Sequence, residues 1–274
     1  MTTRESRDRV EGERASKPNG ERESGTAHQR EVPEVRSDPV RARGQSSTRQ
    51  SSWGDSHGAE GVKAERVLER VYDWGRLRMA WKQIEKNAGA AGIDKMTVEA
   101  FKKREGILLR EIQEKLKAGI YRFQPARRVL IEKEGSQKKR KLGIPTVMDR
   151  IVSQSVHLVL HGIFDSEFTS SNFGFRRGKS QHGAIRHVQQ AVKEGREWCV
   201  SIDLESFFDE IPHGLILRLL RRRIRDERFI TLIARALKAG VIVEGQYEKT
   251  VKGCPQGSPM SPILSNIVLN ELDQ

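Results

Sequence analysis

Val200-Ser201-Ile202-Asp203-Leu204-Glu205-Ser206-Phe207-Phe208-Asp209 is the stretch on which the reading of this chain turns. Residues 198–202 form an apolar run of strand length that ends on Asp203. A carboxylate at the exit of a buried strand is costly unless water or a cation takes up its charge. Asp203 therefore has two readings: a metal ligand at the mouth of a cleft, or a strand-ending aspartate that caps the following turn. A second stretch, Gly253-Cys254-Pro255-Gln256-Gly257-Ser258-Pro259-Met260-Ser261-Pro262, is a rigid loop that feeds a helix. Its prolines fix the path, and Gly257 lets backbone approach a ligand closely. Free N–H groups at the helix start, with the positive end of its dipole, favour phosphate. The plain alternative is a Pro-rich connection before a capped helix. A third stretch, Lys139-Arg140-Lys141-Leu142-Gly143-Ile144-Pro145, is a basic strand. It either clamps phosphates or is an edge that its lysines keep from aggregating.

Working outward, Val67, Val71, Trp74, Leu77 and Trp81 recur at helical spacing and predict one helix over 62–88, broken at Gly89–Gly92. A turn at 94–97 leads into a helix carrying Phe101, Leu108, Leu109, Ile112 and Leu116, and Gly119 stops it. Residues 127–132 alternate as a short strand, a polar turn follows at 135–137, and the basic run enters the next strand. Residues 149–164 are again helical. Helices are expected after Pro212, up to Ile224, and through Phe229, Ile233 and Leu237 to a stop at Gly240. A hairpin is expected around Glu244-Gly245-Gln246, and Ser261-Pro262 starts a last helix. On that helix Ile263, Leu264, Ile267, Val268 and Leu272 form an apolar stripe, expected to lie exposed. The fold class is α+β, a short-stranded sheet backed by helices.

Composition narrows the function. Lys+Arg 50 against Asp+Glu 37 gives a net charge of +13. Residues 1–61 carry 11 basic and 11 acidic side chains, few apolar ones, and so read as a disordered polar tail. Residues 62–150 hold 23 basic and 12 acidic residues, an excess of 11, whereas 151–274 hold 16 and 14. That excess argues for a polyanion, because each neutralised phosphate releases condensed counterions. Two cysteines, Cys199 and Cys254, exclude a disulfide framework and a four-cysteine zinc site. No run approaches eighteen apolar residues and the first thirty contain no hydrophobic segment, so no membrane partner is expected. The expectation is a soluble, basic protein of the cytoplasm, with nucleic acid as its first-guess partner.

Five blocks in order resemble reverse transcriptases of the bacterial group II intron type. They are Asn87-Ala88-Gly89-Ala90-Ala91-Gly92-Ile93-Asp94, Arg140–Thr146 with Asp149-Arg150, Asn172-Phe173-Gly174-Phe175-Arg176-Arg177-Gly178-Lys179-Ser180, Asp203–Asp209 and Pro255–Pro262. The resemblance covers residues 62–274 and implies the fingers and first part of the palm of a right-hand polymerase. It implies that Asp203 is the first metal-binding carboxylate, with the Leu204 carbonyl as a second ligand of a two-ion Mg²⁺ site. Phe208 matches the bulky gate under the incoming sugar, which selects deoxynucleotides. Arg140 and Lys133 match the triphosphate-binding basic pair, and Gln256 the glutamine of the nucleotide loop. Phe173, Phe175 and Arg176 fall in a fingers segment near template and nucleotide, although the two phenylalanines could equally be core.

The implied partners are an intron RNA template, a DNA primer and dNTPs. The implied chemistry is attack of a primer 3′-hydroxyl on an α-phosphate, with two Mg²⁺ ions roughly 4 Å apart. The family's next block, an aromatic residue followed by two adjacent aspartates, is absent: the 274 residues contain no Asp-Asp pair. A thumb and a maturase domain are missing too. The chain alone is therefore expected to be inactive, as a natural truncation, a piece of a longer protein, or a split enzyme completed by a second, C-terminal chain. Two other functions share these blocks: a non-catalytic intron RNA-binding splicing cofactor, and a defence or CRISPR-associated reverse transcriptase.

Overall fold

The helical periodicity of residues 67–116 is realised as short pieces, the first of which ends where a capping residue interrupts it. In the computed structural model, residues 63–133, 136–255 and 257–274 are described, with 133 and 136–138 as backbone only. The polar segment 1–61 and Gln256 lie outside the described residues. The expected helix over 62–88 is two, α1 (Val67–Val71) and α2 (Trp74–Asn87). Asp73 divides them, since its carboxylate accepts from the Arg76 N–H at 2.9 Å and caps α2. The next expected helix is also two, α3 (Val98–Lys102), capped by Thr97, and α4 (Glu105–Lys117).

β1 (Ala126–Lys133) and β2 (Ser136–Ile144) form an antiparallel hairpin, with Ile131 opposite Arg140 and a register shift between Glu132 and Lys133. α5 (Val147–Phe164) follows, then a 3₁₀ turn (Asp165–Glu167) and α6 (Gln181–Lys193). After α7 (Phe207–Glu210), α8 (His213–Arg223) and α9 (Glu227–Leu237) come β3 (Val241–Val243) and β4 (Gln246–Glu248). Glu244 and Gly245, at φ 49° and 84°, make the two-residue turn between them, the geometry that suits the twist of a hairpin. α10 (Ser261–Asp273) is last. The sheet order is β2-β1-β3-β4, with β1 and β3 parallel. The fold is α+β.

α5 is the central element. Ile151, Val152, Val156 and Leu160 are fully buried, and the helix packs against α1, α2 and α10. One buried carboxylate, Asp226, ties two helices together: it caps α9 at Phe229 and accepts from the Leu68 N–H of α1 at 2.8 Å. The stripe on α10 is not exposed as expected. Ile263, Leu264 and Ile267 are buried against the core, and of the stripe only Leu272 is largely exposed. Ser261 does not cap the helix either; its hydroxyl donates back to the Pro255 carbonyl at 2.8 Å.

The largest departure is at 198–202. No strand forms there: Trp198 is 96% exposed, Val200 84% and Ile202 70%. A strand exists only where a neighbour completes its ladder, and none of the four described strands pairs with this run.

The N-terminus of α5 holds the root of the hairpin. The Asp149 carboxylate accepts from the Tyr121 hydroxyl at 2.8 Å, the Gln124 N–H at 3.1 Å and the Thr146 hydroxyl at 2.8 Å. Burial nevertheless outweighs these bonds and pushes this carboxyl up to about 6. Its folded value thus exceeds the unfolded one, so the native state binds the extra proton between about pH 4 and 6. Stability from this group rises as pH falls through that window, by up to ~3 kcal/mol. Asp149→Asn removes the effect. In urea melts, the stability lost in the variant should be larger at pH 4.5 than at pH 7; a pH-independent difference would sink the assignment.

Candidate functional site

The site is assembled where α7 meets the loop before α10. Ser206 enters α7 in the left-handed region at φ 53°, and its carbonyl accepts from the Asp209 N–H at 2.8 Å. Two short bonds then fasten this turn to the loop: Cys254 N–H to the Phe208 carbonyl and Gly253 N–H to the Ile211 carbonyl, both 2.7 Å. The Gly253 carbonyl in turn accepts from Nε2 of the buried His213 at 2.9 Å, so that nitrogen carries the proton. Burial pushes the His213 imidazole down, which keeps it neutral.

Glycine is required at two points of this loop. Gly253 has φ 87°, and a β-carbon there would lie 2.7 Å from the Asp209 carbonyl oxygen. Gly253→Ala is expected to cost ~2–3 kcal/mol through backbone strain and the collision. A shift in the urea midpoint measures it; an unchanged midpoint would refute the packing. Gly257 has φ 105°, and a β-carbon there would collide with the Gly143 carbonyl at the end of β2. The loop therefore rests on the root of the basic hairpin. The same β-carbon would lie 3.2 Å from Cδ1 of Leu142, which shares a strand face with Arg140, two residues along. Arg140 is exposed on that strand. Lys133 ends β1, beyond the register shift, and its side chain is not among those described.

Phe208 is half-buried, with its ring 6.0 Å from that of Phe207. It also lines an open cavity of about 340 Å³ with Ser171, Asn172, Phe175 and Asn266. The 165–187 segment that forms the opposite wall is strongly held. Arg176 donates to the Asp165 carboxylate at 2.8 Å and to the carbonyls of Thr169, Asp165 and Asn172 at 2.8, 2.9 and 3.2 Å. Its guanidinium is thus turned into the segment. Phe173 is covered by Gly183, His187 and the Lys179 ammonium, whereas Phe175 is 68% exposed.

Residues 131–274 match the family model described as "Reverse transcriptase (RNA-dependent DNA polymerase)", more than half of the chain. The chain belongs to the reverse transcriptase family. Protein YkfC of Escherichia coli (strain K12) is 39% identical over 193 residues, 69% of this chain and 50% of that protein. The group II intron-encoded protein LtrA of Lactococcus lactis subsp. cremoris is 36% identical over 198 residues, 72% of this chain and 32% of LtrA. The putative COX1/OXI3 intron 1 protein of Saccharomyces cerevisiae is 35% identical over 199 residues, 72% and 23% of the two chains. This reverse transcriptase chain thus spans half or less of the length of these relatives. A chain of a solved partial Cas6-RT-Cas1–Cas2 complex aligns at 22% identity and TM-score 0.49, over 81% of this chain and 38% of that one.

Asp203 and Leu204 lie on the exposed, strand-free segment that leads into α7. Among the described residues no three His, Cys, Asp or Glu side chains converge as a metal site. A two-ion centre needs at least two or three carboxylates, so the described residues of this reverse transcriptase chain do not fit one by themselves. Sequence reasoning missed Asn266, a polar residue within the apolar stripe of α10. Its amide donates to the Gly174 carbonyl at 2.8 Å and joins the last helix to the loop carrying Phe175. An asparagine set between Ile263 and Ile267 in the apolar repeat was the available signal, and the structure buries it with Ser261, Ser265 and Asn270 of the same helix.

Proposed function

We propose that these residues form the nucleotide- and template-binding part of an RNA-directed DNA polymerase of the group II intron type. The observation that carries this reading is the triple junction of α7, the 253–260 loop and the β2 root. It supports the reading because α7 is hydrogen-bonded to the loop at Cys254 and Gly253, and the loop rests on the end of β2 at Gly143. In this reading Arg140 and Lys133 hold the triphosphate of an incoming dNTP, with bidentate contacts from the arginine. Gln256 lies in the nucleotide loop, and the Phe208 ring excludes a ribose 2′-hydroxyl. Asp203, with the Leu204 carbonyl, supplies one part of an Mg²⁺ centre whose other carboxylates come from a complementing segment or second chain. The chain alone then makes no cDNA from a primed RNA template with Mg²⁺; robust primer extension by the isolated chain would overturn that part. With the complementing chain present, Phe208→Ala should admit ribonucleotides on the order of tenfold better. Unchanged discrimination would remove Phe208 as the gate.

The charge excess of 11 over residues 62–150 supports a second role, binding intron RNA for splicing and mobility in the bacterial cytoplasm. Affinity for structured intron RNA should fall by at least about a hundredfold between 50 and 200 mM salt, on the scale of several phosphate contacts. Salt-independent binding, or none, would argue against it.

A further inference from the structure

Phe175 combines three features that rarely coincide. It is a non-glycine residue in the left-handed region, at φ 54°; it is 68% exposed; and its ring lines the cavity that Phe208 also borders. A left-handed backbone costs a residue with a β-carbon roughly 1–2 kcal/mol, and exposing an aromatic ring forgoes its burial. Such a conformation persists only where its surroundings over-determine it, and strain of this kind gathers at functional sites.

The surroundings do over-determine it. On one side, the Asn266 amide holds the Gly174 carbonyl at 2.8 Å, and the Gly174 N–H donates to the Asn172 carboxamide at 3.1 Å. On the other, Arg176 fastens the carbonyls of Thr169 and Asn172. Phe173, two residues away, is the anchor of the loop, packed on His187 and under Lys179. The loop is thereby held in place, and it presents Phe175 to an open concavity that Ser171 and Asn172 also line.

From this arrangement we infer that Phe175 is a stacking platform for one unpaired base of single-stranded RNA, with Arg176 and Asn266 as the residues that position it. The inference rests on the nucleic-acid reading above and adds the mode of contact. A base offers a flat π-face of any sequence, and polar rim groups meet its edge. Pre-organising the ring means little entropy is lost when the base arrives.

The test uses the whole chain and single-stranded RNA of roughly 12 nucleotides carrying one 2-aminopurine, a base whose fluorescence is quenched on stacking. The wild-type chain should bind and quench. Phe175→Ala should bind roughly tenfold more weakly and lose the quenching, with the salt dependence unchanged. Phe175→Trp should keep both, which separates stacking from misfolding. If Phe175→Ala binds and quenches like wild type, the platform falls while the nucleic-acid reading stands. If the wild-type chain shows no salt-dependent binding, both fall together.

Discussion

Asp203→Ala is expected to lower cDNA synthesis by at least about a thousandfold, ~4 kcal/mol of transition-state stabilisation, in an assembly of this chain with a polypeptide bearing adjacent aspartates. The same change should leave stability within ~0.5 kcal/mol, because the side chain lies on an exposed segment outside any described strand or helix. RNA binding should be unaffected, since the basic excess lies in residues 62–150. The three readouts separate roles that a single activity assay would merge. Loss of RNA binding together with cDNA would mean that the carboxylate supports structure. Activity retained within tenfold would mean that Asp203 is not a ligand of the reacting centre, and the polymerase assignment of this stretch would go with it.

Arg176→Ala is expected to release the 165–187 segment at a local cost of about 1.5–3 kcal/mol, the scale of hydrogen bonds to a charged group. The side chain is 9% exposed, and removing it takes one donor each from the Asp165 carboxylate and the carbonyls of Asp165, Thr169 and Asn172, of which the Thr169 carbonyl keeps the Asn172 N–H at 3.2 Å. Arg176 holds the Asp165 carboxyl below the usual carboxylate range, chiefly through their hydrogen bond. Lysine cannot replace a fork that reaches four acceptors, so Arg176→Lys should recover only part of the loss. Hydrogen exchange by mass spectrometry locates the effect: peptides over 165–187 should lose protection while α5 keeps its own. Uniform loss across the chain, or none, would contradict the local staple. Because Phe175 sits on this segment, the variant should also lose the 2-aminopurine quenching.

Much of the secondary structure was legible because it depends on local chemistry. The hairpin turn at Glu244-Gly245, the stop at Gly119 and the α5 periodicity are properties of neighbouring residues. Where helices were drawn too long, the error was also local. Asp73 is a good N-cap and accepts a backbone N–H inside what periodicity alone would join, whereas the break between α3 and α4 at Lys103 and Arg104 carries no side-chain cap. The strand at 198–202 failed for a different reason. Its residues have strand character, yet a strand requires hydrogen bonds from a neighbour, and composition cannot supply one.

The sequence by itself determined the family, through ordered motifs, and the charge excess between residues 62 and 150 is the basis of the proposed polyanion partner. It also placed a loop of fixed path and glycine freedom before the last helix, since proline and glycine act on their own backbone. Only the tertiary structure decided that α10 is buried, that Arg176 faces inward and that Phe173 and Phe175 have opposite fates. Two aromatic residues two positions apart are indistinguishable in composition. What separates them is which one meets Gly183, His187 and Lys179, and which is turned outward by a left-handed backbone held from distant parts of the chain.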